Sequence, residues 1–226
     1  MVSRVSTLST VRLVSTPGPE TDRDGFYAAG FWGPRGESPD SAAHRLKQFL
    51  DKLKPIHPLL AEWYFGVMEK GAPRVATPIS EAGLREWIIR QVGWTREGLS
   101  GNSADGRGAM LGAWAGDYSA SASLSARFGN TNERVGNAVV LNLPRVLDPL
   151  LTNISGSRSL LDAIVLAWDP DRAVVRPDDV LRSDAPTVRP GEIARAETYW
   201  KRFPDWIVYK RGEPLVLGGP FKDKAS

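Results

Sequence analysis

Apolar residues recur at helical spacing in three stretches of the chain. The first stretch follows Ser38, which offers an N-cap, and Pro39, which suits the first helical position, and its apolar face continues to Leu53. The second stretch follows Ser80, another candidate N-cap, and the third runs from 159 to 168. These three stretches predict amphipathic helices.

Alternation of apolar and polar residues predicts strands elsewhere. From Tyr118 to Phe128 every second residue is aromatic, leucine or alanine, and the residues between them are serine or arginine, which is typical of a half-buried strand. Residues 138–143 are predicted as its antiparallel neighbour. Residues 59–65 either form a second short helix or run into a strand. Three further segments are strand-like, at 26–33, 172–176 and 206–209.

Helices and strands occur in separate runs rather than in regular alternation. This order predicts the α+β fold class, with an antiparallel or mixed β-sheet and amphipathic helices packed on it. The length of 226 residues suits a single domain, which we expect to cover residues 25–226. Residues 1–24 are then an N-terminal extension, either flexible or an edge strand, and an organelle-targeting peptide is the alternative for this segment rich in Ser and Thr.

Composition and charge indicate the compartment of the protein more clearly than they indicate the class of molecule that it binds. The chain has no cysteine, which fits a reducing compartment, and no apolar run long enough to span a membrane. We therefore expect a cytoplasmic protein with no membrane partner. The 29 basic and 26 acidic residues are interspersed and leave a net charge of +3, which indicates no particular class of ligand.

Catalytic signatures are missing from the sequence. Only His44 and His57 could act as imidazole bases, and because neither stands in a hydrolase motif we expect both to be structural or exposed. Two carboxylates that meet only in space would leave no recognisable spacing, so an enzyme with an unrecognised carboxylate site stays open as an alternative. Otherwise we expect no catalytic residue, no metal site and no cofactor.

Two segments match ligand-binding loops only in part. Residues 169–179 begin like a calcium loop with Asp169 and Asp171, but valines replace the glycine and the final glutamate of that loop. We interpret this segment as a helix-to-strand turn capped by aspartates. Residues 106–112 lack the lysine of a phosphate loop, and we interpret their glycines as turn residues next to an exposed loop at 98–108.

Aromatic and basic side chains alternate along residues 199–211, as they do in stacking platforms for single-stranded nucleic acid. Trp206 and Val208 can equally form one face of a strand, and nearby acids dilute the positive charge. We favour ordinary packing and expect no nucleic-acid partner, although a nucleic-acid-binding module stays open as an alternative function.

The most specific pattern is FWGPRGESPDSAAHRLKQFLDKL, at residues 31–53. Its aromatic-Trp-Gly-Pro-Arg stretch and its Glu-Ser pair before an amphipathic helix resemble the opening of the immunity protein 52 family. Asn137 before a strand that ends in Leu-Pro, and WDPDRAVV from Trp168, extend the resemblance over about residues 25–210. The motif residues that match are Trp32, Gly33, Pro34, Arg35, Glu37, Ser38, Trp168 and Asp171.

Two features depart from the family pattern: Phe31 where a tyrosine is expected, and DWIVYK at residues 205–210. The resemblance nevertheless implies a function. Such proteins are encoded beside polymorphic toxins and protect the producing cell by binding the cognate toxin. For this family it implies a nuclease toxin of restriction-endonuclease-like fold, often delivered by type VI secretion, and an inhibitor that is not an enzyme.

The sequence indicates the family more clearly than it indicates which residues would contact the toxin. The motif residues are interpreted as architecture, with Trp32 packed under the first helix and Glu37 paired with Arg35 or stabilising the start of that helix. The local acidic stretch from 169 to 184 is a candidate toxin interface, because acids complement the basic groove of a nuclease. Its acids are Asp169, Asp171, Asp178, Asp179 and Asp184.

Overall fold

The computed structural model describes residues 25–65, 74–78, 80–92, 107–131, 136–177, 206–218 and 221. In these residues one antiparallel sheet of nine strands is accompanied by four α-helices, which confirms the predicted α+β class. Among them no helix is long and apolar enough to cross a membrane.

The strands lie in the order β3-β2-β4-β5-β6-β1-β7-β8-β9. Every pair of neighbours runs antiparallel, and the strand that begins the described chain, β1, lies between β6 and β7. The strands are β1 (Gly25–Trp32), β2 (Trp63–Phe65), β3 (Val75–Ala76), β4 (Arg107–Gly116), β5 (Ser121–Asn130), β6 (Asn137–Pro144), β7 (Arg172–Pro177), β8 (Ile207–Lys210) and β9 (Val216–Leu217).

The helices are α1 (Pro39–Leu53), α2 (Glu81–Val92), α3 (Asp148–Leu151) and α4 (Ile154–Trp168). The two predicted N-caps are confirmed: the hydroxyl of Ser38 accepts the backbone N–H of Ser41 at 3.2 Å, and that of Ser80 accepts the N–H of Gly83 at 3.1 Å. The third helix begins at Ile154 rather than at residue 159, because Asn153 caps it.

Helices α1, α2 and α4 cover one face of the sheet and enclose the main core. Strand β5 shows how the alternation works, since Leu124, Ala126 and Phe128 are buried toward the helices while Ser123 and Ser125 are exposed on the other face. The fully buried indole of Trp168, at the end of α4, contacts three aromatic rings of the core. Its ring lies 5.6 Å from Trp32, 6.0 Å from Phe49 and 5.9 Å from Phe128 between centroids.

Residues 59–65 run into a strand, which is one of the two predicted alternatives: a 3-10 turn at Pro58–Leu60 precedes β2. One strand boundary needs correction. The predicted strand from Tyr118 starts only at Ser121, because the carboxylate of Asp117 accepts the N–H groups of Ser119 and Ala120 and makes a tight turn.

Strand β4 was not predicted at all, and two of the glycines assigned to a turn, Gly108 and Gly112, lie within it. Gly108 has a φ of 64°, and a Cβ atom there would lie 2.5 Å from the carbonyl oxygen of Phe128, so this strand requires glycine at its start. Gly112 lies in regular pairing opposite Ser125. Residues 98–106 lie outside the described part of the chain.

The predicted common face of Trp206 and Val208 is also wrong. Trp206 packs in the main core, with its ring 4.9 Å from that of Phe26, whereas Val208 packs on the opposite face of the sheet against Val174. Strand β8 begins only at Ile207, and Val208 points to the face opposite Ile207 because successive strand residues alternate. Trp206 precedes the strand, so its side chain does not follow this alternation.

Candidate interaction surfaces

The turn between β1 and α1, residues 33–38, is tied to the junction between α4 and β7. The backbone N–H of Gly33 donates to the Asp171 carboxylate at 2.9 Å. The guanidinium of Arg35 donates to the carbonyl oxygens of Trp168 at 2.7 Å and Asp169 at 3.2 Å. Motif residues from the two distant segments therefore meet in one cluster and hold two loops together.

Glu37 is buried beside two arginines at the centre of this cluster. Its Oε1 atom lies 2.9 Å from Arg35 and 3.2 Å from Nε of Arg45, and Arg45 also donates to the carbonyl oxygen of Ala167 at 3.0 Å. The other carboxylate oxygen, Oε2, is buried without a hydrogen-bond partner. Burial therefore raises the pKa of Glu37 despite the opposing effect of the two arginines.

Asn137, at the start of β6, completes the cluster with three hydrogen bonds. Its side-chain oxygen accepts the N–H of Asn130 at 2.9 Å, and its amide donates to the carbonyl oxygens of Gly33 at 2.7 Å and Asn130 at 3.1 Å. The residue is 1% exposed. The residues around Asn137 in the sequence resemble the family pattern, but only the fold places Asn137 against the turn after β1.

Two of the five candidate interface acids, Asp169 and Asp171, lie in this part of the structure. Asp169 ends α4 with a φ of 46°, and both side chains are more than half exposed. Arg211 lies 3.2 Å from the Asp169 carboxylate and 3.4 Å from that of Asp171, so one cation partly offsets the two acids. The other three, Asp178, Asp179 and Asp184, lie outside the described residues.

The histidines occupy structural or exposed positions, as expected. Nδ1 of His44 lies 3.0 Å from the Glu81 carboxylate at the surface, and Nδ1 of His57 accepts the N–H of Leu59 at 3.1 Å to begin the 3-10 turn. Within the described ranges, no group of three or more His, Cys, Asp and Glu residues is placed to hold a metal ion.

The cations described from the segment 199–211 face acids of this chain. Lys210 pairs with Glu213 at 3.0 Å, and Arg211 pairs with the aspartates after α4. Trp206 is partly buried and packs against the core, in edge-to-face contact with Phe26 and Phe221. Residues 199–205 of the candidate platform lie outside the described residues.

The sheet face opposite the helices has two different halves. Over β1, β7 and β8 it carries a small apolar cluster around Ala29 and Val174, which are buried. Over β4, β5 and β6 it is lined mainly by small and polar residues, several of them exposed. We call this second half the open face. Its side chains are Met110, Gly112, Trp114, Ser123, Ser125, Arg127, Ala138, Val140 and Asn142.

Two stacked aromatic rings border the open face at the β2 side. The rings of Tyr64 and Trp114 are 4.9 Å apart between centroids, and the guanidinium of Arg74 lies 5.4 Å and 5.3 Å from them. Two acids stand at the rim beside this group: Glu62 accepts the hydroxyl of Tyr64 at 2.9 Å, and Asp117 closes the turn after β4. Hydrogen bonds from Ser119 and the turn backbone lower the pKa of Asp117. The aromatic pair and the arginine thus form a preorganised corner.

Arg127 is the charged residue of the open face. Its guanidinium lies 3.9 Å from the sulfur of Met110, and no carboxylate among the described residues pairs with it. Met110 is 47% exposed, and Gly112 and Ser125 beside the pair are exposed as well. This arrangement leaves a cation and a flexible apolar side chain facing outward on a flat surface.

The comparison with protein families agrees with the resemblance in the sequence. The family model described as immunity protein 52 matches residues 24–208, which is most of the chain. No curated protein matches the chain. The matched span contains every motif residue, the cluster around Glu37 and the whole open face.

Proposed function

Because this chain belongs to the immunity protein 52 family, we propose that it protects a bacterial cell by binding one cognate toxin and blocking it in a stable complex. The observation that carries the proposal is the family match over residues 24–208. An inhibitor of this kind needs a surface that complements its target and no chemistry of its own. We therefore propose a binding protein rather than an enzyme, acting in the cytoplasm.

The target that we propose is a nuclease of restriction-endonuclease-like fold, delivered by type VI secretion. The resemblance of residues 31–53 to the family opening supports this choice. The net charge of +3 argues against mimicry of nucleic acid by the whole molecule, because a mimic of that kind would be strongly acidic. Inhibition is then expected to depend on a limited surface patch.

Co-expression tests the proposal directly. The toxin gene adjacent to the gene of this chain is induced in a host with and without this protein, and growth, DNA integrity and complex formation are recorded. We expect toxin alone to degrade cellular nucleic acid and stop growth, and we expect the protein to restore growth and to co-purify with the toxin.

Two results would contradict the proposal in different ways. Restored growth without any complex at micromolar concentrations would exclude inhibition by binding. A complex with a toxin that leaves DNA and RNA intact would retain the immunity function and exclude the nuclease.

A further inference from the structure

We propose that the toxin binds the open face, with a carboxylate of the toxin paired to Arg127 and an apolar side chain seated over Gly112; the inference rests on the function proposed above. The toxin surface that fits is an acidic patch with an apolar centre. Such a patch differs from the nucleic-acid groove of a nuclease, which is basic.

The first reason is the shape of the surface. Gly112 and Ser125 are direct neighbours across β4 and β5, and both are exposed. A Cβ atom added to Gly112 would meet no atom within 4 Å. This pair therefore forms a shallow floor on which a large side chain of a partner can reach the strand backbone.

The second reason is the state of Arg127. Other arginines of the described surface, such as Arg85 and Arg90, are paired with acids of this chain at 2.6 Å and 3.0 Å. Arg127 is half-buried on the sheet, and its guanidinium donates to the Met110 sulfur, with no carboxylate among the described residues paired to it. Its planar guanidinium can bind a carboxylate through two hydrogen bonds, which a paired arginine cannot offer.

The third reason is the corner formed by Tyr64, Trp114 and Arg74. Tyr, Trp and Arg are the residues that most often carry binding energy in protein interfaces, and these three are already held against one another. Trp114 is 8% exposed, so Tyr64 and Arg74 are the members that a partner would cover; their contact with Trp114 restricts their rotamers before binding, so little conformational entropy is lost. Trp114 pairs with Ser123, and Arg127 lies four residues further along β5. The corner therefore lies about 13 Å from Arg127, within the span of one interface.

The test compares the full chain with four variants by calorimetric titration of the cognate toxin. We expect R127E to raise Kd at least tenfold and G112W to abolish binding, with Tm unchanged for both. R127K should give an intermediate Kd, because lysine keeps the positive charge but lacks the planar guanidinium that can bind a carboxylate through two hydrogen bonds. The matched control is R158E, which makes the same charge change on the exposed side of α4 and should leave Kd within twofold.

The results separate this inference from the function on which it rests. If R127E and G112W fold as the parent chain does and bind the toxin with unchanged Kd, the open face is not the interface, although the immunity function stands. If R158E weakens binding as much as R127E does, the specific contact is overturned. If the parent chain itself does not bind the toxin, both proposals are wrong.

Discussion

The side-chain amide of Asn137 donates a hydrogen bond to the carbonyl oxygen of Gly33 at 2.7 Å. This contact joins the first residue of β6 to the turn that leads into α1. The same side chain also bridges the backbone N–H and C=O of Asn130 at the end of β5. One buried amide thus joins the start of β6 to the end of β5, seven residues away, and to the turn after β1, 104 residues away.

Removal of this amide should be costly. N137A removes three hydrogen bonds, one of them to the buried N–H of Asn130, while the carbonyl oxygen of Asn130 keeps the N–H of Arg35 at 2.9 Å, so we expect the free energy of unfolding to fall by about 1–3 kcal/mol in urea denaturation. The control is N142A in the same strand, where an exposed amide donates only to the hydroxyl of Ser123 at 3.0 Å. That change should cost less than about 1 kcal/mol. Equal losses from the two variants would contradict a special role for Asn137.

The pH dependence of stability should report on Glu37. Because its pKa is raised in the folded chain above the ordinary value of 4.5, the folded state binds more protons than the unfolded state in the window between the two pKa values. The stabilising effect of this residue is therefore present below 4.5 and is lost as pH rises through the folded pKa. We expect the parent chain to lose stability relative to E37Q over that window.

Urea titrations of the parent chain and E37Q at several pH values between about 4 and 8 measure this difference. E86Q, which alters an exposed glutamate paired with Arg90, serves as the control and should show little change with pH. A parent chain that gains stability over E37Q as pH rises would mean that the arginine pairs outweigh burial.

The two aspartates after α4 allow a test of the acidic interface. Asparagine suits the left-handed conformation of residue 169, and at 171 its side-chain oxygen can still accept from Gly33, so a chain with both D169N and D171N should fold normally. We expect its affinity for the toxin to change less than threefold, since Arg211 already offsets part of the charge of the two aspartates. Binding titrations check this, and a tenfold loss would instead place the interface at this turn.

The sequence predicts those helices and strands whose apolar pattern and end signals lie within the element itself. Helix α1 was recognised because Ser38 and Pro39 mark its start and because its apolar face repeats cleanly, and β5 because serine alternates with apolar residues. The start of α4 was missed because its first turn contains Ser155, Gly156 and Ser157, which are poor helix formers in isolation. Packing against Leu150 and Leu151 overrides that preference.

Strand β4 was missed for a related reason. Gly108, Gly112 and Gly116 weaken the strand pattern in the sequence, and apolar residues such as Met110 and Trp114 stand on the face opposite the helices. The open face could not be predicted, because it depends on which strands are neighbours. Tyr64 and Trp114 stack only because β2 pairs with β4, and no local pattern specifies that long-range pairing.

Among the described residues the sheet ends on one side with β3 and on the other with β9, and each of these strands contains only two residues. Each offers few unpaired backbone groups to another polypeptide, although β2 pairs with only three of the ten residues of β4. At β3 and β9, association of this immunity protein with copies of itself through strand pairing is therefore disfavoured.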